Sequence, residues 1–235
     1  MNSDSKNQNK SGELFIVPTP VGNLDDITIR ALKILKSVDI IACEDTRHSG
    51  LLLKKLEILP RKLESLHEHN EESKSEYLLQ LLSDGKTVAL ISDAGTPAIS
   101  DPGYRLIKKC INAGVKITPL PGATAFVPAL CGSGFSTESF YFAGFPPHKK
   151  GRNTFFEKLK SFECTIILYE SPYRISTLLN DLEKHFPPDR KVCIAREISK
   201  IYEEFSIGNV IELKARFDKP ASIKGEFVVL IDSKY

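Results

Sequence analysis

A chain of 235 residues, 41% hydrophobic and 26% charged, has the composition of a folded globular protein and the length for one large domain or two small ones. Its formal charge of +2 excludes a histone-like, tail-driven nucleic-acid binder but not a local basic patch. The five cysteines (Cys43, Cys110, Cys131, Cys164 and Cys193) are odd in number, widely spaced and without a CxxC pair. They read as buried free thiols of a cytoplasmic protein rather than as disulfides or a metal site.

Residues 1–12 are polar or small, with neither the apolar core of a secretory signal nor the arginines of a transit peptide, and read as a disordered tail. A strand over 14–17 runs into the turn Pro18-Thr-Pro-Val-Gly22. Asn23 or Asp25 then caps a helix whose inward face is Ile27, Ala31, Ile34, Leu35 and Val38. A buried strand over 38–43 is followed by a polar turn at 44–47. Tyr77, Leu78, Leu81 and Leu82 mark a helix that Gly85 ends. A strand over 87–92 and a helix over 104–113, stopped at Gly114, lead to a strand over 115–120. Strand and helix taking turns imply a parallel sheet covered on both faces.

Pro119-Leu-Pro-Gly-Ala123 is the predicted hinge, separating an N-terminal α/β domain over 13–120 from a C-terminal α/β domain over 121–235. The second domain is predicted to hold strands over 140–143, 164–169, 191–195, 201–208 and 227–231, in a mixed sheet. Its predicted helices lie over 153–160, 173–185 and 210–217. Apolar runs such as 165–169 and 227–231 are too short to span a bilayer, so no membrane segment is expected.

In open α/β sheets, ligands bind beyond the carboxyl ends of the strands. Three of those ends carry loops of small and rigid residues: Pro18-Thr-Pro-Val-Gly22, Asp93-Ala-Gly-Thr-Pro97 and Pro121-Gly-Ala-Thr-Ala125. Such loops expose main-chain groups and suit a flat base with a short amino-acid tail. No GxGxxG, GxxxxGK[ST], HExxH or GxSxG motif is present, so dinucleotide, P-loop, zincin and serine-hydrolase chemistry have no support.

These loops, with Cys43-Glu-Asp-Thr-Arg47, Ser100-Asp-Pro-Gly103, Ala143-Gly-Phe-Pro-Pro147, Glu170-Ser-Pro-Tyr-Arg174 and Lys224-Gly-Glu226, resemble the tetrapyrrole methylase superfamily, and within it the RNA-acting branch. The resemblance runs from about Glu13 to the C-terminus. It implies two α/β domains with S-adenosylmethionine in the cleft between them, and a homodimer. It also implies 2′-O-methylation of a cytidine ribose in the decoding region of small-subunit (16S) ribosomal RNA. The cofactor contacts it carries over are Pro20, Ala94, Gly95, Thr96, Ile99, Thr124, Ala125, Tyr169 and Glu170. Where tetrapyrrole-acting relatives have an acidic GDP-type loop, this chain has Gly95-Thr96-Pro97, and its first loop lacks their glycine-rich start. Both departures favour RNA.

A ribose hydroxyl needs its proton removed as it attacks. Asp101 and Glu170 lead as candidate bases, ahead of Asp93, Glu44 and Asp45. Each leader has a structural alternative: Asp101 as the cap of the helix near Tyr104, and Glu170 as a partner of nearby backbone. Lys149, Lys150 and Arg152 form a short basic loop suited to RNA phosphates, with Arg47, Arg174 and Arg196 as further cations. His48, His67 and His69 lack companion ligands, so no metal site is expected. Two other readings remain open: the same fold acting on a tetrapyrrole or a protein, and a non-catalytic ribosome-associated RNA binder.

Overall fold

The computed structural model describes residues 12–217 and 224–233. The expected tail lies outside them except for Gly12, whose amide donates to the Leu82 carbonyl at 2.8 Å. The chain divides into two compact units, 1–123 and 124–235.

In the first unit β1 (Glu13–Ile16), β2 (Ile40–Cys43), β3 (Leu63–Ser65), β4 (Thr87–Leu90) and β5 (Lys116–Pro119) pair in the order β3-β2-β4-β1-β5, every pairing parallel. Parallel strands need crossovers, here α1 (Ile29–Ser37), α2 (Thr46–Lys55), α3 (Glu71–Ser83) and α4 (Tyr104–Asn112). Two apolar clusters cover the faces, one around Leu14, Leu78, Val88 and Leu106, the other around Val17, Leu35, Ile41 and Ile91. Parallel order puts the carboxyl ends of β1, β2, β4 and β5 along one edge.

The first helix starts later than its sequence suggested. Asn23 caps only a 3₁₀ turn over Leu24–Asp26, Ile27 is extended, and Thr28 accepts from the Ala31 amide to open α1. The stretch over 44–47 is no simple turn: Asp45 caps α2. Neither α2 nor β3 was foreseen, because Leu51-Leu52-Leu53 followed by two lysines carries little helical periodicity and a three-residue strand carries none.

The second unit pairs β6 (Phe140–Gly144), β7 (Thr165–Glu170), β8 (Val192–Arg196), β9 (Glu204–Gly208) and β10 (Phe227–Ile231) in the order β6-β7-β10-β8-β9. Only β6 and β7 are parallel neighbours; the remaining pairings are antiparallel, which makes the sheet mixed. α6 (Arg152–Lys160), α7 (Ile175–His185) and α8 (Val210–Arg216) share one face with Ile166, Leu168, Ile194 and Val229. α5 (Phe126–Ser133) packs on the other face, with Ile167, Cys193, Val228 and Leu230. α5 was not foreseen, since its apolar residues and Pro128 show no single stripe. Cys43, Cys110 and Cys193 are buried as expected, whereas Cys131 is exposed and Cys164 half-buried. Among the described residues no helix is long and apolar enough to cross a membrane, and no group of three or more His, Cys, Asp or Glu could hold a metal ion.

Candidate functional site

The carboxyl ends of β1, β4 and β5 are joined loop to loop. Thr19 and Gly95 exchange amide-to-carbonyl hydrogen bonds of 2.9 Å in both directions. The Thr19 hydroxyl donates to the Ser92 carbonyl at 3.0 Å, and the Ser92 hydroxyl donates to the Gly95 carbonyl at 3.2 Å. The Thr96 hydroxyl donates to the Ala123 carbonyl at 2.9 Å, tying the second loop to the third. Gly122 lies so close to the first loop that a Cβ there would stand 2.6 Å from the Pro18 Cβ. Pro20, Gly95, Thr96, Gly122 and Ala123 therefore belong to one braced floor.

The second loop is also conformationally strained. Gly95 has φ +82°, and Ala98 and Ser100, on either side of Ile99, have φ +66° and +61°. L-residues with side chains rarely take this left-handed conformation, and such strain concentrates where ligands bind. Ala94 and Ile99 are exposed, and no charged side chain lies between Asp93 and Asp101.

Asp101 does not cap the following helix. Glu71, from α3, takes that role: its Oε1 accepts from the Gly103 amide at 2.9 Å and the Arg105 amide at 3.0 Å. Asp101 is left facing other acids. Burial first, then the charges of Glu44 and Asp93, push its carboxyl up to about 7, against an opposing hydrogen bond with Ser92. Burial and the Asp93 charge also raise Glu44. A cavity of about 410 Å³ adjoins this cluster, lined by Glu44, Asp45, Arg47, His67 and Asp93 among others. Arg47 is 89% exposed at its side chain and grips Asp45 at 2.7 Å, which holds Asp45 well below the usual carboxylate range.

In the second unit, strand alternation separates two residues expected to share a site. Tyr169 lies on the α5 face, its ring 5.0 Å from Phe142 and 5.6 Å from Phe145. Glu170 points to the opposite face, with its side chain 0% exposed. It accepts from Arg174 at 2.8 Å and from the Ser171 amide at 2.9 Å, and stands 3.8 Å from Arg152. Its carboxylate is thus enclosed by two guanidinium groups and a backbone amide rather than open to solvent. Thr124 and Ala125 precede α5, where Ala125 packs with the cluster that holds Tyr169.

Arg152 belongs to the same buried network. It is only 9% exposed, its Nε donates to Asp181 at 2.7 Å and its Nη1 to the Pro147 carbonyl at 2.8 Å. The basic loop thus presents Lys149 and Lys150 to solvent, not Arg152. Arg174 is likewise committed inward, and Arg196 donates to the Lys224 carbonyl and to Glu204. The sequence overlooked Glu71 and Ser92, whose roles arise from contacts across elements and leave no local signal.

The chain matches the family model for tetrapyrrole (corrin/porphyrin) methylases over residues 13–214. It is 48% identical over 228 residues to the ribosomal RNA small subunit methyltransferase I of Pasteurella multocida, covering 96% of this chain and 81% of that one. It is 47% identical over 222 residues to the protein of the same name from Micromonospora olivasterospora, covering 94% and 70%. In fold it is similar to a uroporphyrin-III C-methyltransferase from Thermus thermophilus solved with S-adenyl homocysteine, with a TM-score of 0.65 at 14% identity over 94% of this chain and 97% of that one.

Proposed function

From the premise that this chain belongs to the tetrapyrrole (corrin/porphyrin) methylase family, we propose that it is an S-adenosylmethionine-dependent methyltransferase of small-subunit ribosomal RNA, and that its acceptor is a cytidine ribose 2′-oxygen in the decoding region. The observation that carries the substrate class is its likeness, over nearly the whole chain, to proteins named for that RNA. The acceptor atom rests on the loop resemblance set out above. Methylation of a tetrapyrrole is disfavoured by the same likeness.

The first unit fits the cofactor by the chemistry of its surface. Pro20, Ala94, Gly95, Thr96 and Ile99 offer main chain and small side chains on a braced floor, suited to an adenine and an amino-acid tail. The nearby carboxylates Asp93, Glu44 and Asp101 complement a positively charged sulfonium. Thr124, Ala125 and Tyr169 join this assignment through the family resemblance. When bound, S-adenosylmethionine supplies an electrophilic methyl group.

Asp101 is assigned as the base. A carboxyl titrating near 7 is substantially ionised at neutral pH, yet basic enough to take the hydroxyl proton as the ribose oxygen attacks. Burial, with the charges of Glu44 and Asp93, sets its basicity, and a hydrogen bond with Ser92 holds it in place. Glu170 is assigned to positioning: it ties the end of β7 to Arg152 of α6 and to Arg174, just before α7. Lys149, Lys150 and Arg47 are assigned to RNA phosphates, and the active form is a homodimer acting in the cytoplasm.

The test is transfer of labelled methyl groups to small ribosomal subunits lacking the modification, followed by nucleoside mass spectrometry. Label in a 2′-O-methylcytidine is the expected result. Label on a base or on a protein would overturn the acceptor. Cofactor binding without transfer to any RNA or subunit would overturn the function.

A further inference from the structure

In the second sheet β6, β7 and β8 run the same way, and β10 and β9 run against them. The segments after β6, β7 and β8 are therefore gathered at one edge, with the starts of β9 and β10. Glu170, Phe227, Arg196 and Glu204 stand side by side along it. This edge leaves large apolar side chains in water: Tyr173, 94% exposed, after β7, and Ile201 and Tyr202, the latter 73% exposed, after β8. The segment after β6 adds Lys149 and Lys150, and Lys224 lies before β10, all three exposed.

The segments are rigid. After β8, Glu197 and Ser199 hold left-handed φ of +53° and +66°. Lys200 bridges Glu197 at 2.9 Å and Glu226 at 3.0 Å, and the Ser199 amide donates to Glu203 at 2.6 Å. The acids of this segment are thus occupied from within. The segments after β6 and β7 are braced by the buried Arg152–Glu170–Arg174 network. Exposed tyrosines on stiff backbone carry little ordering cost on binding, and nothing in either unit's core requires them in water.

We propose that this edge binds unpaired RNA, with bases stacking on Tyr173 and Tyr202 while Lys149 and Lys150 take the phosphates. The inference rests on the RNA reading above and names the residues that would hold the strand. Aromatic faces interleaved with cations suit single strands, since every base has a face to stack and every nucleotide a charge. A protein partner is less favoured by the lysines, and a second copy of the chain is one outcome of the test.

The test measures binding of oligocytidylate to the full chain over a series of salt concentrations, with S-adenosylmethionine affinity and solution mass read on the same samples. Tyr173→Ser and Tyr202→Ser are each expected to weaken RNA binding roughly tenfold with an unchanged salt slope. Tyr173→Phe and Tyr202→Phe are expected to bind like the parent. Lys149→Gln with Lys150→Gln should flatten the slope of log affinity against log salt by about one to two. Oligocytidylate binding unaltered in the serine variants overturns the proposal and leaves the function standing if methyl transfer to subunits persists. Absence of binding by the parent chain also overturns it. A halved mass in the serine variants would make the edge a self-association face and overturn it as well.

Discussion

At Asp101 burial and two neighbouring acids act on one carboxyl, and the result is a group titrating near neutrality. Asp101→Asn is expected to lower the methyl-transfer rate by about 10²–10⁴-fold, the usual contribution of a general base. In the parent, the single-turnover rate should climb with pH through about 7 and then level off, and the variant should lose that limb. The same shift has a consequence for stability. The folded carboxyl titrates near 7 and an unfolded one near about 4. Between these values the folded chain keeps a proton that the unfolded chain has lost, so the contribution of Asp101 to stability falls as pH rises across that window. Asp101→Asn should therefore melt higher than the parent at about pH 8 and no higher at about pH 4, by scanning calorimetry. An unchanged melting temperature at the higher pH would argue that the acid cluster is not strained.

At the scale of elements, the buried network under β7 and the braced floor of the first unit make separate predictions. Arg152→Met removes the cation that Asp181 and Glu170 face inside the second unit, and is expected to cost about 3–5 kcal/mol in urea unfolding. Lys149→Met and Lys150→Met, on the exposed turn beside it, should stay within about 0.5 kcal/mol of the parent. Equal losses at all three positions would overturn the division between support and RNA contact. In the first unit Gly122→Ala pushes a methyl into Pro18 and should cost about 1–3 kcal/mol in stability. Because Pro18 belongs to the first loop, the same change should weaken S-adenosylmethionine binding in titration calorimetry. Binding unaltered at Gly122→Ala would remove the first and third loops from the cofactor site.

At the scale of the whole molecule, each unit has its own apolar clusters on both faces of its sheet. A ligand held only by the folded chain adds to its stability: S-adenosylmethionine at one hundred times its dissociation constant should add about 2.7 kcal/mol, read as a rise in melting temperature. No rise with the cofactor or its demethylated product would overturn the cofactor assignment. The alternation of strand and helix in the first half and the mixed order of the second were legible in the sequence, since apolar periodicity encodes which face each element buries. The loops at Pro20, Gly95-Thr96-Pro97 and Pro121-Gly122 were legible too, because glycine and proline restrict the backbone locally wherever they stand. What tertiary structure alone decided is how side chains from distant segments meet. It handed the α4 N-terminus to Glu71 and so released Asp101, and it turned Glu170 to the opposite face from Tyr169. It also withdrew Arg152 and Arg174 from the surface. A sequence states that a residue is charged; whether the charge meets water, a ligand or a buried partner depends on contacts between segments far apart in the chain, which no local pattern encodes.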